Sequence, residues 1–308
     1  MIRAVIVLLF LNCIIGYGQE RIDSSALFDD ILANPATELD SRTYSENVVK
    51  EFYELDAGRN QWTAFKEFYS TGELYEKGIF LNGEYFSVWK TFDKAGNIES
   101  VIDYSAAKRL RGPAFGYEEL FKQCRAAAQG VIEQHFGQEN RLKLNVSRSY
   151  WYSENSSGTW FEPRSEKPNE LRLVYAYAES DSLRFDAVSL YFDTSSEPRL
   201  TETEGLPAQQ PYNFKVDYTQ ALSIAQSKGF GLKNRNNVFK DSEYLNLVFD
   251  EKLSRYFWII SRVHKTEYTP VEGYPGSAVV KGFGKTLRID SLTGQVTESK
   301  FNGVGNIN

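Results

Sequence analysis

A glycine-punctuated aromatic segment, residues 61–105, constrains the fold of this 308-residue chain more than any other part of it. The string FYSTGEL at residues 68–74 is echoed 24 residues later by FDKAGNI at residues 92–98, with Gly72 and Gly96 in the same place. Aromatic side chains alternate between these strings, and glycine suits turns that need a positive φ. The segment therefore predicts repeated strand–turn–strand units, which must stack because one hairpin cannot bury its own face.

The same residues resemble the MORN-type repeat, in the variant form found in exported bacterial proteins. The matching elements are the FYxxGxL start, the KG(I/V)F-xNG middle and the WKxFDxxGxI close. The resemblance implies a β-hairpin stacking unit, which we place at residues 61–111, and it implies no catalytic role. Before this unit, a lead-in at residues 19–60 is predicted to hold one short helix that ends at Pro35.

The N-terminus, residues 1–18, has the pattern of a secretory signal peptide. A single charge, Arg3, precedes an apolar run that ends in a small-x-small triplet at residues 16–18, and the run is too short for an ordinary membrane span. Two alternatives stay open: an uncleaved anchor, and a lipoprotein modified at Cys13, which follows Asn12 rather than a small residue. The chain is expected to be exported to a periplasmic or extracellular location, with no stable membrane span after cleavage.

Two similar halves follow, at residues 112–205 and 214–308, joined by a Pro- and Gln-rich linker at residues 206–213. Each half opens with apolar residues at helical spacing and continues with short strand-like runs. Helices are predicted at residues 117–136 and 218–228, and strands at residues 142–152, 170–178, 185–193, 244–249, 255–264, 278–289 and 295–300.

The second half resembles the PepSY-type domain. It shares the helix ALSIAQSKGF, the aromatic strand RYFWIISRV and the terminal hairpin LRIDSLTGQVTES, but it carries a long Gly- and Pro-containing loop at residues 269–284. The first half keeps the helix and strands but has lost the turn glycine, so we interpret it as a diverged copy. The expected fold is thus α+β and β-rich, with a MORN-like β-hairpin segment followed by two helix-on-antiparallel-sheet modules.

Residues that carry most catalytic and metal chemistry are scarce, since the chain has two His and two Cys. No Gly-x-Ser-x-Gly, Walker-type or His-Glu-x-x-His motif occurs, so no catalytic site, metal site or cofactor is predicted. The turn from Asp290 to Gly294 is interpreted as structural, His264 as a surface residue and Cys124 as a buried small hydrophobe. The net charge of −6 argues against nucleic-acid binding.

The aromatic residues, 21 Phe, 19 Tyr and 5 Trp, have two possible uses, because rings on a strand either pack or face outward. The run at residues 84–89 holds too many rings to bury in one hairpin layer, which predicts exposed rings able to bind a partner. The predicted partner-binding residues are Tyr69, Tyr85, Phe86, Trp89 and, in the loop at residues 269–284, Tyr274.

These features favour a non-enzymatic protein-interaction module whose unidentified partner is a protein of the cell envelope, such as a protease that it restrains. One alternative is a polysaccharide- or cell-wall-binding protein in which Trp89 or Trp160 stacks on sugar rings. A second alternative is a hydrolase built on two carboxylates held in a cleft. Pairs such as Glu118 and Glu119 are better explained as charges at a helix N-terminus.

Overall fold

The computed structural model describes residues 24–44, 48–57, 59–180, 182–230, 239, 244–271, 274 and 277–307. The predicted signal peptide and Cys13 lie outside these described residues. Antiparallel strands dominate the described chain and three helices accompany them, which confirms the β-rich α+β class. None of the helices in the described ranges has the length and apolar character that a membrane crossing needs.

The first part of the described chain forms a helix and a seven-stranded antiparallel sheet. The helix is α1 (Ser24–Ala33), and the strands are β1 (Glu38–Thr43), β2 (Val49–Ala57), β3 (Asn60–Phe68), β4 (Leu74–Leu81), β5 (Glu84–Phe92), β6 (Ile98–Asp103) and β7 (Lys108–Arg111). Strands that are consecutive in the chain are neighbours in the sheet, from β1 to β7. The sheet begins before residue 61, so hairpins occupy part of the segment predicted as a lead-in.

The 24-residue repeat of the sequence appears in the structure as two turns with the same backbone hydrogen bonds. The Tyr69 N–H donates to the Glu73 carbonyl at 2.8 Å, and the Asp93 N–H donates to the Asn97 carbonyl at 2.9 Å. The glycines inside these two turns have φ values of 98° and 80°. Only glycine adopts such values without steric cost, which is the physical reason for the repeated glycine in the sequence.

A hydrogen bond of the same residue spacing connects the end of β1 to the start of β2: the Tyr44 N–H donates to the Val48 carbonyl at 2.8 Å. The sequence did not reveal this equivalence because residues 45–47 contain no glycine. Register irregularities also recur at the repeat spacing, after Glu67 in β3 and after Thr91 in β5. The sheet is therefore built from one hairpin unit used more than once.

Helix α1 covers one face of this sheet. Its buried side chains Leu27, Phe28 and Ile31 pack against buried residues of the neighbouring strands, which are Leu55, Trp62, Ala64, Ile79 and Phe86. Burial of this apolar surface stabilises the sheet, because a sheet with one covered face excludes water from that face.

Two further antiparallel sheets follow α2 (Glu118–Phe136) and α3 (Tyr218–Ser227). The six-stranded sheet has the order β10-β9-β11-β12-β13 with β8 beside β11, and its strands are β8 (Leu142–Leu144), β9 (Tyr150–Tyr152), β10 (Ser157–Thr159), β11 (Glu170–Ser180), β12 (Leu183–Asp193) and β13 (Arg199–Glu204). The four-stranded sheet has the order β14 (Asn246–Asp250), β15 (Arg255–Pro270), β16 (Ala278–Asp290) and β17 (Val296–Ile307).

The chain divides into two compact units. The first unit runs to Ala128 and adds Lys143–Arg184 and Ser189–Thr203, whereas the second comprises Gln129–Leu142, Phe185–Val188 and Glu204–Asn308. The first unit therefore contains α1 and the seven-stranded sheet, and the second contains α3 and the four-stranded sheet.

The strand predicted at residues 142–152 is divided into β8 and β9. The Ser149 hydroxyl donates to the Asn145 carbonyl at 2.7 Å and accepts from the Val174 N–H at 3.0 Å. This side chain replaces strand-to-strand hydrogen bonds with local ones, which explains the break.

The loop predicted at residues 269–284 is mostly strand, because β15 continues to Pro270 and β16 begins at Ala278. Two of the glycines that suggested a loop, Gly282 and Gly284, lie inside β16, where they permit close contacts. A Cβ atom on Gly284 would overlap the Arg262 carbonyl oxygen, and one on Gly282 would lie 2.8 Å from the Phe239 ring. Glycine in a strand marks such close approach as readily as it marks a turn.

The turn between β16 and β17 has the predicted structural role. Asp290 accepts hydrogen bonds at its Oδ1 from the Leu292 N–H at 2.8 Å and the Thr293 N–H at 3.1 Å, and Gly294 has a φ of 76°. Arg255 completes the arrangement by donating to the other carboxylate oxygen of Asp290 at 2.9 Å. The interpretation of this turn as a backbone cap is confirmed.

Candidate binding surface

The seven-stranded sheet has two faces of different character. Successive side chains along a strand point to opposite faces, so Trp62 and Ala64 face α1 and Phe65 faces away from it. Cross-strand partners extend this second face, since Phe65 lies opposite Phe52 of β2 and opposite Gly78 of β4. We call this surface the aromatic face and define it by Phe52, Phe65, Phe80, Tyr85, Trp89 and Tyr104.

The rings of the aromatic face form one continuous network. The centroid of Trp89 lies 5.5 Å from that of Phe65, 4.8 Å from that of Phe80 and 4.5 Å from that of Tyr85. Tyr85 in turn stacks on Tyr104 at 4.6 Å with an interplanar angle of 12°. Such stacked and edge-on contacts are the favourable geometries for aromatic pairs. The central rings of Phe65 and Trp89 are buried, whereas those of Phe80 and Tyr85 are half-buried.

Gly78 provides the space for the central ring of this network. The indole of Trp89 lies against its backbone, so that a Cβ atom on Gly78 would overlap the indole ring. The Trp89 Nε1–H also donates to the neighbouring Ile79 carbonyl at 3.0 Å. The indole is thus held by both its apolar surface and its one polar group, which is how a buried Trp is satisfied.

Two of the predicted partner-binding residues are buried: Phe86 is 5% exposed and Trp89 is 2% exposed. Phe86 faces α1, where its ring makes an edge contact with Trp62 at 5.3 Å. The expectation that these rings are exposed is wrong, because the hairpin is not a single layer. Helix α1 covers one of its faces, and rings of neighbouring strands cover one another on the other face.

The other three predicted residues have different environments. Tyr69 is half-buried and links two equivalent turns, since its hydroxyl donates to the Phe92 carbonyl at 2.8 Å and Lys94 lies over its ring at 5.6 Å. Tyr85 lies at the half-buried rim of the aromatic face. Tyr274 is 68% exposed between β15 and β16, in the second compact unit. Of the five residues, only Tyr85 and Trp89 join one ring network.

An acidic pair lies on the aromatic face beside the rings. Glu67 of β3 and Glu76 of β4 are directly opposite each other, and Lys50 of β2 forms an ion pair with Glu67 at 2.9 Å. Burial, reinforced by the charge of Glu67, raises the pKa of Glu76 to about 7, although Lys50 opposes this shift. Opposed like charges destabilise a strand pair, so this pair is retained at a cost in stability.

Burial also acts on the tyrosine next to these carboxylates. It raises the pKa of Tyr85 to about 12, and the charges of Glu76, Glu162 and Glu67 act in the same direction. Tyr85 therefore stays neutral at physiological pH and presents an apolar ring beside negative charge.

Sequence reasoning missed Phe52, Phe80 and the two glutamates of the aromatic face. The sequence does contain a signal for part of the aromatic face: Phe65 precedes Trp89 by 24 residues, which is the spacing of the repeat. The sequence could not predict that Glu67 and Glu76 lie opposite each other. Their pairing depends on the register of a hairpin that contains an irregularity after Glu67.

The aromatic face combines half-buried rings with carboxylates. Among the described residues, no three His, Cys, Asp or Glu side chains cluster closely enough to hold a metal ion. His264 is exposed at a register irregularity of β15, as a surface residue would be. Half-buried rings provide apolar area and attract cations, and carboxylates attract basic groups. A ligand that satisfies both is a segment with basic and apolar side chains.

The chain has no match in three comparisons, which cover protein-family models, curated proteins and solved structures. The functional argument therefore rests on the side chains of the aromatic face and on their charges.

Proposed function

We propose that the chain is an exported, non-enzymatic interaction protein that binds a protein of the cell envelope through the aromatic face. The observation that carries this proposal is the juxtaposition of half-buried rings, Phe80 and Tyr85, with the opposed carboxylates of Glu67 and Glu76. Proteins use such mixtures of aromatic area and fixed charge to bind polypeptide segments.

The chemistry of the surface favours a basic segment as the partner. A Lys or Arg side chain over these rings gains cation–π attraction, and its charged end forms charge-assisted hydrogen bonds with a carboxylate. The pKa of Glu76, raised to about 7, makes this binding depend on pH. Glu76 must be deprotonated to attract a cation, so binding is expected to strengthen as the pH rises through 7.

Sugar binding is less well supported by the same observations. Trp89 and Trp160, the rings that would stack on a sugar, are 2% and 8% exposed. Stacking on a saccharide needs an accessible ring face. We therefore place the polysaccharide-binding alternative behind the protein-binding one.

We further propose that the segment at residues 61–111 is a MORN-type repeat and that residues 112–205 and 214–308 are PepSY-like modules. The equivalent turns at Tyr69 and Asp93 support the first assignment. The order of α3 and the four-stranded sheet, with its Asp290-centred turn, supports the second. The PepSY resemblance suggests that the envelope partner is an enzyme, such as a protease that this protein restrains.

The test uses the chain from residue 19 to 308 and an array of immobilised peptides that contain Lys or Arg next to aromatic residues. A matched array carries Glu in place of each basic residue. We expect binding to the basic array alone. Changing both Glu67→Gln and Glu76→Gln is expected to weaken it about tenfold, which corresponds to ~1.4 kcal/mol.

Two variants serve as controls. Tyr268→Ala removes a ring that is 56% exposed on β15, and Glu38→Gln removes an exposed carboxylate on β1. Both are expected to bind the basic array as the parent does. Equal binding by the parent and the double glutamate variant would overturn the proposal. Turnover in a broad hydrolase screen, if Glu76→Gln abolished it, would replace binding with catalysis.

A further inference from the structure

One end of the four-stranded sheet presents apolar side chains to solvent. Strand β14 pairs with β15 only as far as Ile259, so beyond that residue the described sheet consists of β15, β16 and β17. We call this part the distal sheet and define it by residues 262–271, 274, 277–285 and 300–307. Its exposed apolar side chains are those of Tyr268, Val271, Tyr274 and Val304. Apolar side chains that gather at one exposed end of a sheet indicate a contact surface.

The turn between β15 and β16 holds Tyr274 at the end of the distal sheet. The Tyr274 N–H donates to the Val271 carbonyl at 3.2 Å, and the Tyr274 carbonyl accepts from the Ser277 N–H at 3.0 Å. The Val271 N–H donates to the Ser277 carbonyl, also at 3.0 Å. These hydrogen bonds fix the backbone of a residue whose side chain is 68% exposed.

A row of three cations crosses the distal sheet. Lys285 of β16 is directly opposite both Arg262 of β15 and Lys300 of β17. Side chains that are directly opposite in antiparallel strands share a face, and like charges in such positions repel. Glu298 pairs with Lys285 at 3.6 Å, but both side chains are exposed, so that water screens the pair. The row therefore concentrates positive charge on one face.

The same face combines this charge with apolar groups nearer to the turn. Alternate residues of a strand share a face, so Lys281 and Phe283 lie on the face of Lys285. Lys281 is directly opposite the exposed Val304, and the Lys265 Nζ lies 5.9 Å from the centroid of Phe283. Within the described part of the chain, Lys281 forms no ion pair.

Carboxylates offset only part of the charge of the distal sheet. Glu267 pairs with Lys265 at 2.6 Å, and both side chains are exposed. Residues 262–285 and 298–307 contain five Lys or Arg and three Glu, one of which, Glu272, lies outside the described residues. The whole chain has a net charge of −6. A locally positive surface on a negative chain favours one orientation towards an anionic partner.

We propose that the distal sheet docks on the surface of an anionic lipid membrane, with Tyr274 at the level of the headgroups. Tyrosine suits this level because its ring is apolar and its hydroxyl is polar. Lysines close to an anionic bilayer are attracted by its surface potential. Lys281 lies about 10 Å along β16 from the strand end at Ala278, and its long side chain extends the reach of its charge.

The apolar end of the sheet favours a membrane over an acidic polypeptide as the partner. An acidic segment would match the lysines but would leave the apolar side chains of Val271 and Tyr274 uncovered, whereas a bilayer surface accepts both. The residues of this surface are separate from those of the aromatic face. The proposal therefore does not depend on the proposed protein-binding function.

The first experiment measures sedimentation of residues 19–308 with vesicles of phosphatidylcholine alone or with about a third phosphatidylglycerol. We expect binding only to the anionic vesicles, and weaker binding at high salt. Changing both Lys281→Gln and Lys300→Gln is expected to weaken binding at least tenfold, since each lysine contributes a several-fold factor. The double variant Glu67→Gln and Glu76→Gln, which alters the aromatic face, should sediment as the parent does.

The control for charge is the pair Lys122→Gln and Lys252→Gln, which removes two exposed lysines outside the distal sheet. It should leave vesicle binding unchanged. Because the four lysines are exposed, all variants are expected to keep the unfolding midpoint of the parent within a few degrees. Equal losses in the two double variants would overturn the proposal, as would equal binding to neutral and anionic vesicles.

A second experiment tests contact at the turn directly. The chain from residue 19 to 308 has one thiol, the buried Cys124, so Tyr274→Cys can be labelled selectively with an environment-sensitive dye. We expect a blue shift of its emission on addition of anionic vesicles. The control, Leu253→Cys, places the dye at an exposed site in the turn between β14 and β15 and should show no shift. A soluble poly-glutamate peptide that bound more tightly than the vesicles, with no shift at position 274, would replace the membrane with an acidic polypeptide.

Discussion

Gly78 is the residue on which the aromatic face depends most directly. Its missing side chain gives the indole of Trp89 a place against the β4 backbone, and the rings of Phe65, Phe80 and Tyr85 then surround that indole. Glycine is used here for close approach, since its φ is not among the positive values found in the turns.

Replacing Gly78→Ala tests this dependence. The added Cβ would overlap the indole of Trp89, so the ring must move and the surrounding rings must repack. We expect a loss of about 2 kcal/mol or more in the free energy of unfolding, as for other overpacked cores. Urea denaturation followed by Trp fluorescence measures it.

The matched control for this prediction is Gly130→Ala. Gly130 lies in α2, and a Cβ atom there meets no other atom within 4 Å. Alanine is the better helix former, so this variant is expected to gain up to about 1 kcal/mol. Equal effects of the two replacements would contradict the assigned role of Gly78.

Glu76 gives the stability of the protein a specific pH dependence. Its pKa is about 7 in the folded chain, raised by burial and by Glu67 from an ordinary value of 4.5. The folded state therefore holds the proton more tightly than the unfolded state, and stability falls as the pH rises from about 4.5 to 7. We expect Glu76→Gln to remove this decline and to be more stable than the parent at pH 8 by ~1 kcal/mol or more.

Denaturation midpoints measured from pH 4 to pH 8 check this expectation. Glu38→Gln on β1 is the control, because it removes an exposed carboxylate from the same sheet. Parallel pH profiles for the parent and Glu76→Gln would show that burial of this carboxylate has no energetic consequence.

At the scale of elements, the 24-residue repeat of the sequence corresponds to two turns of the seven-stranded sheet that have the same backbone geometry. The turns at Tyr69 and Asp93 have the same backbone-to-backbone hydrogen bonds, and both place a glycine at positive φ. In the second turn, the Asp93 carboxylate also accepts from the Ala95 and Asn97 N–H groups at 2.9 Å and 2.8 Å. The Asn97 side-chain amide, which donates to both carboxylate oxygens, lowers the pKa of Asp93 most, and these backbone N–H groups lower it further.

Equivalent turns should respond equally to the same substitution. Gly72→Ala and Gly96→Ala each force a side chain into the left-handed region without creating a contact, since no atom lies within 4 Å of the position that either new Cβ would occupy. We expect each to cost about 1 kcal/mol, from backbone conformation alone. Chemical denaturation of the two variants measures both costs, and values that differ by more than twofold would contradict the equivalence.

At the scale of the whole molecule, the thiol of Cys124 reports on folding. Cys124 lies on the buried stripe of α2 with Phe121, Ala128 and Ile132, and its burial raises the thiol pKa to about 11. At pH 8 the folded protein therefore keeps a protonated and enclosed thiol, which reacts poorly with disulfide reagents.

In the chain from residue 19 to 308, labelling of this one thiol should follow global unfolding. We expect its rate at pH 8 to rise with urea in parallel with the loss of folded protein. Ser196→Cys adds an exposed thiol and should label at once in native buffer. Rapid labelling of Cys124 in the native parent would contradict its enclosure.

Local features of the sequence were sufficient to place most helices and turns. The helices α2 and α3 were predicted to within about one residue, because the apolar spacing that defines them acts over a few positions. The Gly72 and Gly96 turns were equally readable from their φ requirement. Glycines in β16 were misread as a loop because close packing and turns both select glycine.

The candidate sites needed contacts between distant parts of the chain. Burial of Phe86 requires α1 to lie on the sheet, and burial of Trp89 requires rings from neighbouring strands. The Glu67–Glu76 pair arises from strand register. The residue sequence thus establishes the repeat and its turns, whose causes are local. The packing of α1 on the sheet and the pairing of the strands decide which rings and charges meet, because these interactions join residues that are far apart in the chain.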